Sequence, residues 1–342
     1  MNERITMAEV AKAAGVTSST VSKALRNDPR ISAEKRREIQ AVAEALGYRP
    51  NPLVSALMMN RKSISTEGGI TTIALVTDYG GDEKWQTKDV CTWEYEGIVK
   101  RANELGFRVE EFAIADYRGD VRQLERTLKT RGIRGILLGF SRERSRKTLI
   151  STDDFVVAGL SAYFREAMVD RSNFHGLYNV RLALTEIRKL GYKRTGLVVP
   201  EVNNRISGYQ WSASALDWQR HLTREDRCAP FVPDGDDSQA AFVKWMHDEK
   251  PDSLLVYKLP VKTWLSQLGL RIPQDIGVAY LYRKSEEMKT AAGLDGKLQS
   301  VGAAAIDLVV EGLTTNRFGL PKHPKEVLIK GEWNAGETLL GR

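Results

Sequence analysis

Apolar residues recur in two regimes. Over the first 46 residues they follow a helical period, and beyond residue 69 short apolar runs alternate with amphipathic stretches. Met7, Val10, Ala11 and Ala14 share one helical face, opened by Thr6-Met7-Ala8-Glu9. That spacing is a capping box, in which hydroxyl and carboxylate each satisfy a free amide. Gly15, the only glycine among the first 46 residues, supplies the positive φ of a sharp turn. Thr17 caps a second short helix through about Leu25, with Val16, Val21 and Leu25 apolar. Two helices joined across such a turn form a helix-turn-helix. Ser32 caps a third helix, where Ile39, Val42, Ala43 and Leu46 follow i, i+3, i+4, i+7 spacing and Gly47 marks the end.

Arg61 to Gly69 is polar and glycine-ended, a domain boundary. After it, strands are predicted at 70–77, 107–114, 135–140, 155–160, 195–199, 253–257 and 276–282, and helices at 94–105, 121–130, 177–190 and 206–220. Strand–helix alternation predicts parallel, doubly wound sheets. Leu105-Gly106-Phe107, Leu190-Gly191-Tyr192 and Leu268-Gly269-Leu270 each close a helix just before a strand, with glycine in the left-handed position. The recurrence in both parts predicts two similar α/β lobes, with a ligand cleft at the carboxyl ends of their strands.

Charge sharpens the division. Of a net +7 over 342 residues, residues 1–62 hold eleven Lys and Arg against six Asp and Glu, while the other 280 hold 40 against 38. A basic module on a near-neutral body suits a polyanionic partner. Two cysteines, Cys91 and Cys228, are too few for a disulfide scaffold or a cysteine-built zinc site, and no run of 18 apolar residues exists. The start, Met1 to Thr6, has no apolar export core, so a cytoplasmic, nucleoid-associated location is expected, with no membrane partner. No nucleophile elbow, phosphate loop or dinucleotide motif is present, and the four histidines stand far apart, so neither catalytic residue, metal nor cofactor is expected.

The outward face of the second helix is Ser18, Ser19, Ser22 and Lys23: short polar groups and one cation that can enter a major groove and bond base edges. Asn51-Pro52 can start another helix over Leu53 to Met59, only about two turns long and marginal in water. It reads either as a minor-groove wedge led by Leu57 or as a plain linker.

The run Ile5-Thr6, Val10-Ala11, Ala14-Gly15-Val16-Thr17, Thr20-Val21-Ser22-Lys23, Leu25, then Val42 to Leu46, Gly47-Tyr48 and Pro50-Asn51 resembles the headpiece of the lac-repressor (LacI/GalR) family of bacterial transcription regulators. The resemblance implies an all-α helix-turn-helix headpiece on a two-lobed, periplasmic-binding-protein-like α/β body. It implies a domain at 1–49, a hinge helix or linker at 50–62, and an effector-binding and dimerisation body at 63–342. The lobes are expected at 63–168 with 296–321 and at 169–295 with 322–342. The function implied is a transcriptional regulator, a repressor, acting as a homodimer on a palindromic double-stranded DNA operator. DNA contacts are implied for Thr6, Met7, Thr17, Ser18, Ser19, Ser22, Lys23, Arg26, Arg30, Ser32, Tyr48, Asn51, Val54 and Leu57. Within that set Ser18, Ser19 and Lys23 read bases, Thr17, Ser32 and Asn51 hold phosphates, and paired Leu57 side chains enter the minor groove.

Along the body the resemblance is carried by Leu190 to Val198, Asn204-Arg205-Ile206 with Gly208-Tyr209, and Gly269 with Ile272-Pro273 and Asp275-Ile276. It implies effector contacts at Thr77, Asp78, Tyr79, Asn204, Arg205, Lys258 and Tyr282. Arg205 would grip a hydroxyl, carboxylate or phosphate; the other reading is a lobe-stabilising ion pair. Two carboxylates usual in the family are replaced, by Lys258-Leu259 and around Tyr282-Arg283. The effector is therefore expected to be carbohydrate-like but atypical or anionic, or the pocket vestigial with a protein partner in control. Trp85, Trp93, Trp211 and Trp218 are either ligand-stacking aromatics or core or dimer-interface ones. Trp211, six residues after Arg205 on one presumed helix, should point almost oppositely.

Overall fold

The computed structural model describes residues 5–25, 28, 30–48, 71–79, 84–141, 153–235, 238–282 and 289–342. The N-terminal unit is α1 (Met7–Ala13), α2 (Ser18–Leu25) and α3 (Ala33–Ala45). The body continues with β1 (Thr71–Asp78), α4 (Asp89–Glu104), β2 (Phe107–Ala113), α5 (Val121–Thr130), β3 (Gly135–Ser141), β4 (Val156–Leu160) and β5 (Asp170–Phe174). Then come α6 (Gly176–Lys189), β6 (Thr195–Val198), α7 (Glu201–Ile206), α8 (Gln210–Arg220), α9 (Gln239–Glu249), β7 (Ser253–Val256), α10 (Val261–Gln267) and β8 (Gly277–Tyr280). The chain closes with β9 (Gly293–Asp295), α11 (Leu298–Thr315), β10 (Glu326–Ile329) and β11 (Glu332–Asn334).

Two sheets result. The first runs β10-β5-β4-β3-β1-β2, all parallel, and the second β11-β9-β8-β7-β6, parallel except for β11. Strand β3 is buried along its whole length, as its glycine-and-aliphatic sequence requires of a central strand covered on both faces. Gly106, Gly191 and Gly269 take positive φ at the three expected helix ends. No helix among the described residues is long and apolar enough to cross a membrane.

The lobe limits differ from those expected. Asp170–Phe174 and Glu326–Ile329, assigned from sequence to the second lobe, pair within the first sheet. The chain therefore crosses between sheets at 174–176, 295–298 and 329–332. The crossings are tied to one another. His175 N donates to Ile329 O at 2.8 Å, Gly331 N to Asn179 Oδ1 at 2.8 Å, and Lys297 Nζ bridges Asp295 and Glu332 at 2.9 and 2.7 Å.

Two further expectations are corrected. The helix predicted over 206–220 is two, because Gly208 and Tyr209 take φ +70° and +62° and break it. Arg205 and Trp211 consequently lie on different helices, α7 and α8, so no single helical azimuth relates them. Leu46, counted with the apolar face of the third helix, is 37% exposed because it falls beyond the last helical turn, at the C-cap.

In the first lobe α4 and α11 cross in backbone contact. A Cβ on Gly97 would stand 1.9 Å from Gln299 O, and one on Gly302 2.0 Å from Glu94 O. Alanine inside a helix ordinarily gains up to about 1 kcal/mol over glycine, but overpacking against backbone typically costs about 1–3 kcal/mol or more. Packing wins. Gly97→Ala should therefore lower the melting midpoint of the body by a few degrees in calorimetry, and an unchanged or raised midpoint would contradict this crossing.

Candidate DNA-reading surface and interlobe cleft

The three-helix unit is held by a small core. Val10, Val21, Ala24 and Ile39 are completely buried, with Ala11, Ala14 and Ala43 nearly so. The capping box forms as its spacing demands: Glu9 N donates to Thr6 Oγ1 at 3.4 Å and Thr6 N to Glu9 Oε2 at 2.6 Å. Gly15 takes φ +63° between α1 and α2. Thr17 Oγ1 accepts from Thr20 N at 3.3 Å, and Ser32 Oγ from Lys35 N at 3.3 Å, so both hydroxyls hold helix starts. Gln40 Nε2 donates to Ala24 O at 3.0 Å and pins the end of α2 to α3.

With Val21 and Ala24 turned inward, Ser18 and Ser19 are exposed and Ser22 and Lys23 half-buried at the rim of that surface. Thr6 and Ser32 are also exposed, while Met7 and Tyr48 pack against the core. Arg30 is engaged within the chain: its guanidinium and amide donate to Asp28, at 2.9 Å from Nε and 3.1 Å from N. Arg26, Asn51, Val54 and Leu57 lie outside the described residues, as does the whole 50–62 segment.

The body brings the second candidate set to the carboxyl ends of the two sheets. Thr77, Asp78 and Tyr79 end β1, Asn204 and Arg205 sit on α7 after β6, Lys258 follows β7 and Tyr282 follows β8. Several are already occupied. Thr77 Oγ1 and Trp85 Nε1 both donate to Glu111 Oε1, at 2.8 and 2.7 Å, and Ser141 Oγ to Asp78 Oδ2 at 3.3 Å. Asn204 is buried and serves its own lobe, its Oδ1 accepting from Ser212 N at 3.3 Å at the break between α7 and α8. Arg205 and Lys258 are exposed cations at the rim, and Lys258 Nζ stands 5.5 Å from the Tyr257 ring centre.

Aromatic rings fill much of the space between these groups. Trp211 lies 4.8 Å from Tyr257, and Tyr282 lies 5.6 Å from Tyr257 and 5.7 Å from Phe174. In the first lobe Trp85 stacks on Phe140 at 4.4 Å. Trp85 and Trp211 are buried core rings, whereas Trp93 and Trp218 are half-buried and pack against the second lobe's core. Phe140, Ser161, Phe164 and Lys258, all just at or after strand ends, take left-handed φ of +46° to +62°. Strained backbone of this kind gathers where a fold shapes a site. Glu94, Glu111, Arg165 and Arg171 belong to no motif; a carboxylate on an otherwise apolar helix face was the available signal for Glu94 alone. Among the described residues no group of three His, Cys, Asp or Glu side chains could hold a metal.

Residues 6–51 match the family model described as bacterial regulatory proteins, lacI family. The chain is 48% identical over 59 residues to the HTH-type transcriptional regulator PtxS of Pseudomonas plecoglossicida, a stretch that is 17% of each protein. It is 19% identical over 323 residues to the HTH-type transcriptional regulator MalR of Streptococcus pneumoniae serotype 4, covering 92% of this chain and 94% of that one. Among solved structures it has the fold of the lac repressor dimer bound to operator and an anti-inducer, with TM-score 0.56, 17% identity and coverage of 99% and 100%. The transcriptional regulator CelR–cellobiose complex is similar too, with TM-score 0.53, 18% identity and coverage of 98% and 100%.

The Arg30 guanidinium holds the Asp28 carboxyl well below the usual carboxylate range. A depressed folded-state pKa contributes stability that is complete above the unfolded value, near 3.9, and fades as pH falls through the folded one. Acidification from pH 5 to pH 2 should destabilise the three-helix unit, followed by circular dichroism, and Asp28→Asn should flatten that limb. Equal acid sensitivity in both would contradict the Asp28–Arg30 clamp.

Proposed function

We propose that this chain, whose residues 6–51 match the model of the lacI family of bacterial regulatory proteins, belongs to that family and is a sequence-specific DNA-binding transcriptional regulator, a repressor, working as a homodimer on a palindromic operator. The observation that carries this reading is the exposed Ser18–Ser19 edge of α2, rimmed by Ser22 and Lys23 and held on a rigid three-helix core. Short hydroxyls let the helix approach base edges, and Lys23 suits a guanine acceptor pair. An eight-residue helix spans few base pairs, so useful specificity calls for two copies on a two-fold site. The body, with the fold of a repressor that is a dimer on its operator, is suited to supply the two-fold contact.

In this reading residues 1–49 read DNA, 50–62 form the hinge with Leu57 as minor-groove wedge, and the two-lobed body binds the effector in a cytoplasmic, nucleoid-associated regulator. Thr17, Ser32 and Asn51 hold phosphates, while Thr6, Met7, Arg26, Tyr48 and Val54 flank the contact. Lobe closure changes the spacing at the hinge and so decides whether both hinge helices form together. A coupling of about 1–3 kcal/mol is enough to switch binding. Lys23→Ala should relax base preference, whereas Leu57→Ala should weaken binding and reduce bending of the duplex, read by gel-shift titration and circular permutation. Unchanged base preference in the first, or unchanged bend in the second, would contradict the assigned roles. Both proteins should bind less tightly as salt rises.

The effector is carbohydrate-like or anionic, with Arg205 and Lys258 as rim cations and Tyr282 on the second-lobe side. The packed rings of Phe174, Trp211, Tyr257 and Tyr282 support a second reading, in which the pocket is vestigial and a protein partner controls the body. Thermal melting against a panel of sugars, sugar acids and sugar phosphates separates them. A shift of the midpoint by an anionic member supports the first, no shift by any member supports the second, and tight calorimetric binding of a neutral hexose contradicts the anionic assignment.

A further inference from the structure

The segment 161–168, between β4 and β5, is built unlike an ordinary surface loop. Arg171 of β5, 9% exposed, sends its guanidinium back beneath it. Nη1 donates to Ser161 O and Tyr163 O, both at 2.8 Å, and Nη2 to Phe164 O at 3.1 Å and Ala167 O at 3.2 Å. Burial opposes the charge on this guanidinium, and four carbonyl dipoles compensate it. Space for the fork comes from Gly159, paired with Arg171 across the strands, where a Cβ would stand 2.9 Å from Nη1. Ser161 also donates to the Glu94 carboxylate on α4, and Tyr163 Oη lies 3.2 Å from Cys91 Sγ. The backbone is left-handed at Ser161 and at Phe164, the latter a bulky residue for which that conformation is costly. A strained segment held at this many points is a platform.

What the platform presents is Arg165. Its side chain is exposed, leaves the first lobe and donates from Nη1 to Arg205 O, at the carboxyl end of α7 in the second lobe, at 3.0 Å. Gly208 leaves room for the other arm of the fork, since a Cβ there would stand 3.0 Å from Arg165 Nη2. A cation on the last carbonyls of a helix meets both unsatisfied acceptors and the negative end of its dipole. Around this contact Val90 and Trp93 of the first lobe pack against the second lobe's core, and Phe174 packs against both cores.

We propose that Arg165 is an interlobe latch, positioned by Arg171, that holds the two lobes in the arrangement seen here. Because α7 carries Arg205, the candidate effector grip, the latch fixes that residue's place at the cleft. The regulatory meaning of the latch rests on the function proposed above; its mechanical action does not.

The test uses full-length protein with spin labels on Thr130→Cys in α5 and Arg220→Cys in α8, both exposed, against two buried native cysteines. With labelled protein diluted in excess unlabelled protein, which isolates the within-chain distance, electron–electron double resonance should give one narrow distance distribution for the labelled parent. Arg165→Ala should broaden it and shift it to a more open separation, whereas Arg165→Lys, which keeps a cation and a donor, should recover most of the narrow population. A distribution identical in the parent and Arg165→Ala would overturn the latch, as would equal broadening in the Ala and Lys variants. The distances are read without DNA, so absence of duplex binding by the parent would count against the proposed function and leave the latch standing.

Discussion

The α2 face proposed to read DNA depends on burial at Val21 and Ala24. Helix α2 has eight residues, below the length at which an isolated helix is stable in water. Its own sequence adds three serines and a threonine, residues that compete for the backbone rather than support it. Order must come from outside: from the packing of Val21 and Ala24 against α1 and α3, and from Gln40 closing the end of α2. Fully burying a side chain such as Val21 or Ile39 contributes about 1.5–3 kcal/mol each. A unit of this size has only roughly 2–6 kcal/mol in total. Loss of one core side chain would therefore disorder the α2 face proposed to read DNA, although that side chain lies beneath the face and not on it.

The body solves a different problem. Two sheets whose carboxyl ends face one another need a hinge that is narrow yet defined. Three short crossings, tied by His175 N, Gly331 N and Lys297, give one. The first lobe is tightly built: α4 and α11 touch backbone to backbone at Gly97 and Gly302, and β3 is buried throughout. Relative motion of the lobes would then be a rotation of one packed unit against the other. The contacts that resist it cross the cleft, at Arg165 with Arg205 and at Val90 and Trp93 on the second lobe's core.

Much of this was legible in the sequence, and the reasons differ by element. The capping box, Gly15, Ser32 and the Leu-Gly-X helix ends are local chemistry, so each formed where its residues stood. Helix α5 was delimited to the residue because Leu124 and Leu128 alternate cleanly with charge. Strand β5 was not legible: Asp-Arg-Ser-Asn-Phe reads as a polar loop and is buried only because tertiary partners take up its side chains. Missing it shifted the expected lobe limits. The break at Gly208 was hidden by a neighbourhood otherwise good for helix. At the cleft, position was legible but state was not. Thr77 and Asp78 lie at one predicted strand end and Asn204 beyond another, yet their hydrogen bonds go to Glu111, Ser141 and Ser212. No spacing rule encodes partners 8 to 63 residues away.

The central claim is that α2, presented twice by a symmetric pair, reads base sequence in the major groove. Selection of bound duplexes from a random pool by the full-length protein, followed by sequencing, tests it most directly. Enrichment of a two-fold symmetric site is expected, blurred at defined positions when Lys23→Ala is used. Recovery of a pool indistinguishable from the input, with and without sugars, sugar acids and sugar phosphates, would contradict it.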